Sequence, residues 1–209
     1  MKKPSQLGPR DLDYNSAKYK RVYPSTDSIA GLRIGYLNKC IYLANNKGMI
    51  EVWNYQLTEQ LNSIKVFDKA INSLTLSRRY EFVIVTSDTG TKVLNSENFD
   101  LVTELRSDFP INCAQMSPIM YSKEKPRFHV IMGGGTKARD TAFAKEGGLE
   151  VNVMNAIHGH PVCTLSGHYG PINWIECCPD GAGFISAGEE SIVRYFRFDK
   201  KYFDSPDYE

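Results

Sequence analysis

The tetrads INSL (Ile71 to Leu74), INCA (Ile111 to Ala114) and INWI (Ile172 to Ile175) place the same pair, Ile-Asn, at the head of three strand-like runs. The first two lie 40 residues apart and the last two 61, which is one repeat plus about twenty inserted residues. A second marker keeps the same beat. Asn54, closing MIEVWN, and Asn95, closing TKVLN, are 41 residues apart, and each run follows a turn containing Gly or Asp: ANNKG at Ala44 to Gly48 and TSDTG at Thr86 to Gly90. Helical repeats of this length would need continuous faces of 3.6-residue period, and none is found. The chain therefore has to stack small sheets, none of which can bury both of its faces alone.

The stretch Gly167 to Phe198, GHYGPINWIECCPDGAGFISAGEESIVRYFRF, shows one unit in detail. A Gly-His turn leads into Ile172 to Cys178. A Pro-Asp-Gly turn follows, then Gly183 to Ala187, an acidic bend at Glu189 and Glu190, and Ile192 to Phe198. Three short runs joined by tight turns make an antiparallel meander, and a Gly-His opening is the signature of a WD-type propeller blade. The expected fold is all-β, a WD40-type β-propeller with four blades visible. The first blade is read as Ile29 to Leu37, Lys39 to Ala44, Met49 to Trp53 and Leu61 to Phe67; the second as Ile71 to Leu76, Glu81 to Thr86, Thr91 to Leu94 and Leu101 to Leu105. The third begins at Ile111, passes through Phe128 to Gly135, takes a polar insertion at Thr136 to Gly148, and resumes with Leu149 to Asn155 and Pro161 to Leu165. The fourth has three strands only. Residues 1–18 are expected to be a flexible segment, 19–203 the propeller region and 204–209 a tail, with Tyr19 to Tyr23 as a possible edge strand.

At 209 residues the chain can bury a sizeable core, and Lys+Arg 25 against Asp+Glu 24 leaves +1, so no global field favours wrapping nucleic acid. Five cysteines form no C-x-x-C pair, and adjacent Cys177 and Cys178 would alternate faces of a strand as packing thiols. No signal peptide and no apolar run near 18 residues are seen, so a reducing cytosolic or nuclear setting is the default, and a cytoplasmic protein with no membrane partner is expected.

The residues that invite a catalytic reading have structural roles in a blade. The histidine of a Gly-His opening is buried beside the bend between second and third strands, where it can bond an acidic residue and a strand hydroxyl. His168, Glu190 and Ser186 stand at those places. The trio lacks a nucleophile elbow, and its position inside a repeat accounts for it. Asp88 is read as the matching bend residue of the second unit, and Trp53 as a blade-wall indole. MGGG at Met132 to Gly135 is not followed by G-K-[ST], so a strand end with a tight turn replaces a phosphate loop. His158 and His160 lack the further ligands that a metal would need. No catalytic residue, cofactor or metal is expected. Lys123, Lys125, Arg127, Lys137, Arg139 and Lys145 gather around the third unit, as a solvated face or a contact with a ribosome or acidic partner.

GHYGPIN, PDG, SAGEES followed by Val193-Arg194, the F-D-x-x-Y-F ending at Phe198 to Phe203, the GGG with its polar insertion, and LNSENF at Leu94 to Phe99 together resemble subunit i of eukaryotic translation initiation factor 3. That resemblance implies a seven-bladed WD propeller acting as a non-catalytic scaffold, matched here from Lys20 to Phe203 over its last four blades. It implies binding to subunit b, through that subunit's C-terminal segment, to subunit g, and to the small ribosomal subunit, with no specific nucleic acid. Candidate partner contacts are Lys137, Arg139, Lys145, Tyr202 and Phe203. Departures from the family pattern are Glu190 for the bend aspartate, Asn54 and Asn95 where a Trp-Asp ending is common, and the absence of three blades. The rival functional reading is a WD40 adaptor in signalling or ubiquitin ligation, with an enzyme behind it.

Four blades stand at the lower end of the usual range of about four to eight. The chain either stays an open arc covered by a partner, closes as a small ring, or is an incomplete record. An open arc is expected to expose the first blade around Ile34, Ile41 and Val52 and to leave the last blade without an outer strand.

Overall fold

Runs of alternating apolar and polar residues, cut by Gly, Asp and Asn turns, become hairpins because successive side chains point to opposite faces of a sheet. The computed structural model describes residues 27–123, 126–136 and 147–204. Within them fifteen strands form four antiparallel sheets, each made of strands consecutive in the chain. Blade 1 holds β1 (Ile29–Ile34), β2 (Cys40–Asn45), β3 (Met49–Asn54) and β4 (Gln60–Lys65). Blade 2 holds β5 (Ile71–Leu76), β6 (Phe82–Ser87), β7 (Gly90–Asn95) and β8 (Leu101–Arg106). Blade 3 holds β9 (Ile111–Met116), β10 (His129–Gly134), β11 (Val151–Asn155) and β12 (Pro161–Leu165). Blade 4 has three strands, β13 (Ile172–Cys177), β14 (Gly183–Gly188) and β15 (Val193–Arg197).

The described residues thus form an all-β, WD40-type propeller region of four blades, and no strand pairing among them joins the first sheet to the last. Strand ends shift by one or two residues, as at β4 and β11, and two segments differ more from the sequence reading. The first strand stops at Ile34, three residues early, where Gly35 leads into a 3-10 turn at Tyr36–Asn38 with Leu37 at φ 53. After β15 the chain forms a short helix, α1 (Lys200–Asp204). The expectations for residues 1–18 and 19–23, for most of the polar insertion (137–146) and for 205–209 lie outside the described residues.

The Ile-Asn beat has a physical cause. Ile71, Ile111 and Ile172 are buried at the start of their strands. The asparagine after each sits where the ladder to the second strand skips a residue: Ile71 pairs with Ser87 and Ser73 with Thr86, and blades 3 and 4 repeat the shift. Such a bulge re-aims its extra side chain out of the ladder. Asn72 uses this freedom to donate from Nδ2 to the carbonyl of Ile111 at 2.9 Å, and Asn112 to the carbonyl of Ile172 at 2.9 Å. Each clip ties one blade to the next across the inner strands. Thr75 adds a bond from its hydroxyl to the Ala114 carbonyl at 2.7 Å.

Three apolar seams complete the stacking. Tyr42, Ala44, Ile50 and Val52 of blade 1 pack on Ile71, Leu74, Val83 and Val85 of blade 2. Ile84, Val93 and Leu105 meet Ile111, Val130, Met132 and Met154 between blades 2 and 3. Cys113, Ile131, Val151 and Val153 meet Ile172, Ile175 and Phe184 between blades 3 and 4. Of the three residues expected on the open flank of blade 1, only Ile34 is exposed; Val52 points into the seam with blade 2, and Ile41 is buried.

Candidate functional site

Blade 4 carries the polar group that a search for chemistry would find first. His168 lies in the loop that enters β13, Ser186 is on β14, and Glu190 is in the turn between β14 and β15. His168 Nδ1 is 2.5 Å from Glu190 Oε1, and its Nε2 is 2.7 Å from Ser186 Oγ. A carboxylate can only accept, so the imidazole donates from Nδ1, and its Nε2 bonds the Ser186 hydroxyl. Burial alone raises the Glu190 carboxyl. The bond from His168, with bonds from the Glu190 and Tyr169 backbone, outweighs it and holds the group below its ordinary range.

Glu is one methylene longer than the Asp expected at such a bend, and the local backbone makes room for it. A Cβ added at Gly188 would lie 2.0 Å from Glu190 Oε2. Ser186 and His168 are buried. A hydroxyl with no exposed surface cannot meet a substrate, and both ring nitrogens are already bonded.

Blade 2 has no equivalent trio. Phe67 stands four residues before Ile71, as His168 does before Ile172, and Val85 pairs with Leu74 as Ser186 pairs with Ile175. Lys92, the third-strand partner of Val85, sets its ammonium 4.8 Å from the centre of the Phe67 ring and donates to the Val66 carbonyl at 2.9 Å. Counting back four residues from the Ile-Asn pair would have found Phe67 in the sequence. Asp88 is exposed in the turn before β7 and accepts from Asn72 Nδ2 at 3.0 Å. Trp53 is half-buried beside Ile41 and donates from its indole to Glu51 Oε2 at 3.0 Å.

The candidate partner contacts divide. Lys137, Arg139 and Lys145, with Lys125, lie outside the described residues. Tyr202 is 4% exposed on α1: its ring stacks on Phe198 at 4.0 Å, and its hydroxyl is 2.6 Å from His129 Nδ1. Burial pushes that phenol up. Phe203 is half-buried, and its carbonyl accepts from Arg127 at 3.1 Å. Arg127, grouped by sequence with a basic surface, is instead buried, with its guanidinium 5.4 Å from the Tyr202 ring centre.

The remaining motifs are absorbed by packing. A Cβ at Gly134 would lie 2.0 Å from the Pro110 carbonyl oxygen, so the MGGG glycines admit a close backbone approach. His158 and His160 stack with ring centres 5.9 Å apart, and among the described residues no three His, Cys, Asp or Glu converge as a metal site. Burial pushes the Cys113 thiol up to about 12 and raises that of Cys177 as well, which keeps both as unreactive packing groups. No described helix is long and apolar enough to cross a membrane.

No protein-family model matches the chain. Individual relatives do. Eukaryotic translation initiation factor 3 subunit I of Emericella nidulans is 33% identical over 174 residues, which is 81% of this chain and 50% of the relative. The protein of the same name from Aspergillus oryzae is 31% identical over 207 residues, 93% of this chain and 59% of the relative. That from Culex quinquefasciatus is 28% identical over 179 residues, 84% of this chain and 52% of the relative. The chain spans about half the length of the curated relatives it matches.

Proposed function

The chain belongs to the subunit I family of eukaryotic translation initiation factor 3 over the stretch it shares with these relatives, and from that premise we propose that it is a non-catalytic scaffold of the factor 3 complex. In this reading it works in the cytoplasm during initiation, holds subunits b and g, and is carried on the small ribosomal subunit. The observation that carries the reading is identity of 30% or more to proteins of that name, running over 81% to 93% of the chain. The site geometry supports it. His168 is bonded to both Ser186 and Glu190 within blade 4, and Asp88 and Trp53 bond within their own blades. The reading gives these five residues structural duties and assigns the basic contact with the ribosome to Lys137, Arg139 and Lys145.

The test is affinity purification of the tagged chain from cell extract. Subunits b and g and the small ribosomal subunit are expected to co-purify. A stable complex of signalling or ubiquitin-ligase proteins in their place overturns the proposal.

A further inference from the structure

The connections between first and second strands lie side by side along one end of the blades, and two neighbouring pairs of them touch. Between blades 2 and 3 the Arg79 guanidinium lies 4.6 Å from the centre of the Tyr121 ring, and the Arg79 backbone N–H donates to the Tyr121 hydroxyl at 3.3 Å. Between blades 3 and 4 a Cβ added at Gly181 would lie 3.0 Å from Ile119. Between blades 1 and 2 the connections stand apart. A cleft of about 540 Å³ opens there, with Tyr36 and Lys39 on the blade 1 wall and Tyr80, Glu81 and Glu97 on the blade 2 wall. Glu97 belongs to LNSENF, in the turn between β7 and β8.

The two tyrosines form an open V. Their ring centres are 5.9 Å apart with planes at 55°, and the residues are 58% and 39% exposed, so ring surface of each is open to a ligand. Tyr80 is strained in that place. It stands at φ 64, where the matching turn of blade 4 has Gly181 at φ 71, and in both turns this residue's N–H bonds the carbonyl three residues before it. Left-handed backbone disfavours a bulky side chain, and strain of that kind gathers where side chains serve a ligand. Leu37, beside Tyr36, is strained in the same way at φ 53.

Charge selects the ligand. Glu81 and Glu97 form no ion pair among the described residues. Of the two bases that line the cleft, Arg79 turns its guanidinium to Tyr121 of blade 3, which leaves Lys39 alone against two carboxylates. Open aromatic faces attract cations through the ring quadrupole, and a carboxylate beside them adds a charge-assisted bond. A guanidinium uses both at once, because its plane stacks on a ring while its edge donates to a carboxylate; an ammonium is a point charge and cannot stack. A phosphate chain would instead meet two like charges. We infer that this cleft is a docking site for an arginine side chain presented by an extended basic segment of a partner protein, stacked on the open tyrosine faces and bonded to Glu81 or Glu97. The inference is independent of the functional proposal.

Fluorescence anisotropy of a labelled hexa-arginine peptide, titrated with the 209-residue chain, reads the outcome. Saturable binding is expected, with hexa-lysine about fivefold weaker. Tyr80→Gly removes one ring and relieves φ 64, so it is expected to keep the strand circular dichroism of the wild type and to lose about fivefold in hexa-arginine affinity. Glu97→Gln is expected to lose about tenfold. Asp108→Asn removes the same charge from an exposed position at the opposite end of the blades and is expected to bind as the wild type does. A wild type that does not bind overturns the inference, as does equal affinity for hexa-lysine. So do equal losses in Glu97→Gln and Asp108→Asn, an unchanged affinity in Tyr80→Gly, and tighter binding of an octa-uridine RNA that Tyr80→Gly abolishes.

Discussion

The loop entering blade 2 closes over its bend with Phe67, and the loop entering blade 4 does so with His168, four residues before the first strand in both. In blade 2 the ring is buried, with Val85 on the neighbouring strand and the Lys92 ammonium against it. In blade 4 the corresponding places are filled by His168, Ser186 and Arg194, and a hydrogen-bonded chain to Glu190 takes over the work of packing. The two rings are equally sheltered, Phe67 at 7% and His168 at 6% exposed, because Leu74 with Val85 and Ile175 with Ser186 lie on the face that the preceding blade covers. One backbone frame therefore accepts an apolar or a polar closure at the same burial.

The largest expected effect comes from breaking the apolar closure. Phe67→Ala removes a buried ring at a seam and is expected to destabilise the protein by about 3 kcal/mol, read from urea denaturation. His168→Ala leaves the Ser186 hydroxyl and the Glu190 carboxylate without their partner and is expected to cost about 1–3 kcal/mol. Gly188→Ala should fall in that same range, because its Cβ displaces the Glu190 carboxylate from the ring. A His168→Ala loss exceeding that of Phe67→Ala would break the comparison.

Acid separates the two closures further. The Glu190 carboxyl is held below its ordinary value of 4.5, so the folded protein binds fewer protons there than the unfolded chain. The stability this adds is complete above that ordinary value and is lost as pH falls through the lower, folded one. Melting curves of wild type and Glu190→Gln are expected to stand apart at neutral pH and to converge below about pH 4.5. The gap between wild type and Phe67→Ala has no such titrating group and should stay open over the same range. Convergence of the second pair with the first would place the acid sensitivity elsewhere.

Strand positions were legible because alternation and turn residues are local signals, and β5 and β12 begin and end where the sequence reading placed them. Facing was harder to read. A one-residue bulge after Ile29 reverses which side of the pleat each later residue of β1 meets, so Ile34 and Val52, read as one open face, lie on opposite sides of blade 1. The His168 group was legible because its three members sit at fixed distances within one repeat. Tyr202 was misread for the converse reason. Its partner His129 is far away in sequence, on another blade, and a pairing of that kind leaves no periodic trace. The Ile-Asn beat was visible from the start, but its meaning as a clip between blades depends on the bulge that turns each asparagine outward.

The smallest expected effect tests that clip. Asn72→Ala and Asn112→Ala each delete a bond to a carbonyl of the next blade, and each is expected to cost about 1 kcal/mol, with the carbonyl of Ile111 or Ile172 left short of a donor. Asn173→Ala removes the same side chain from the same bulge position, where it is exposed and bonds nothing among the described residues. That change is expected to fall within about 0.5 kcal/mol of neutral. Any difference among the three then reflects the blade that follows and not the propensity of asparagine for the bulge, since all three share one local geometry. Equal losses at Asn72 and Asn173, measured by denaturant melts, would mean that the asparagine serves its own strand and that the clip is incidental.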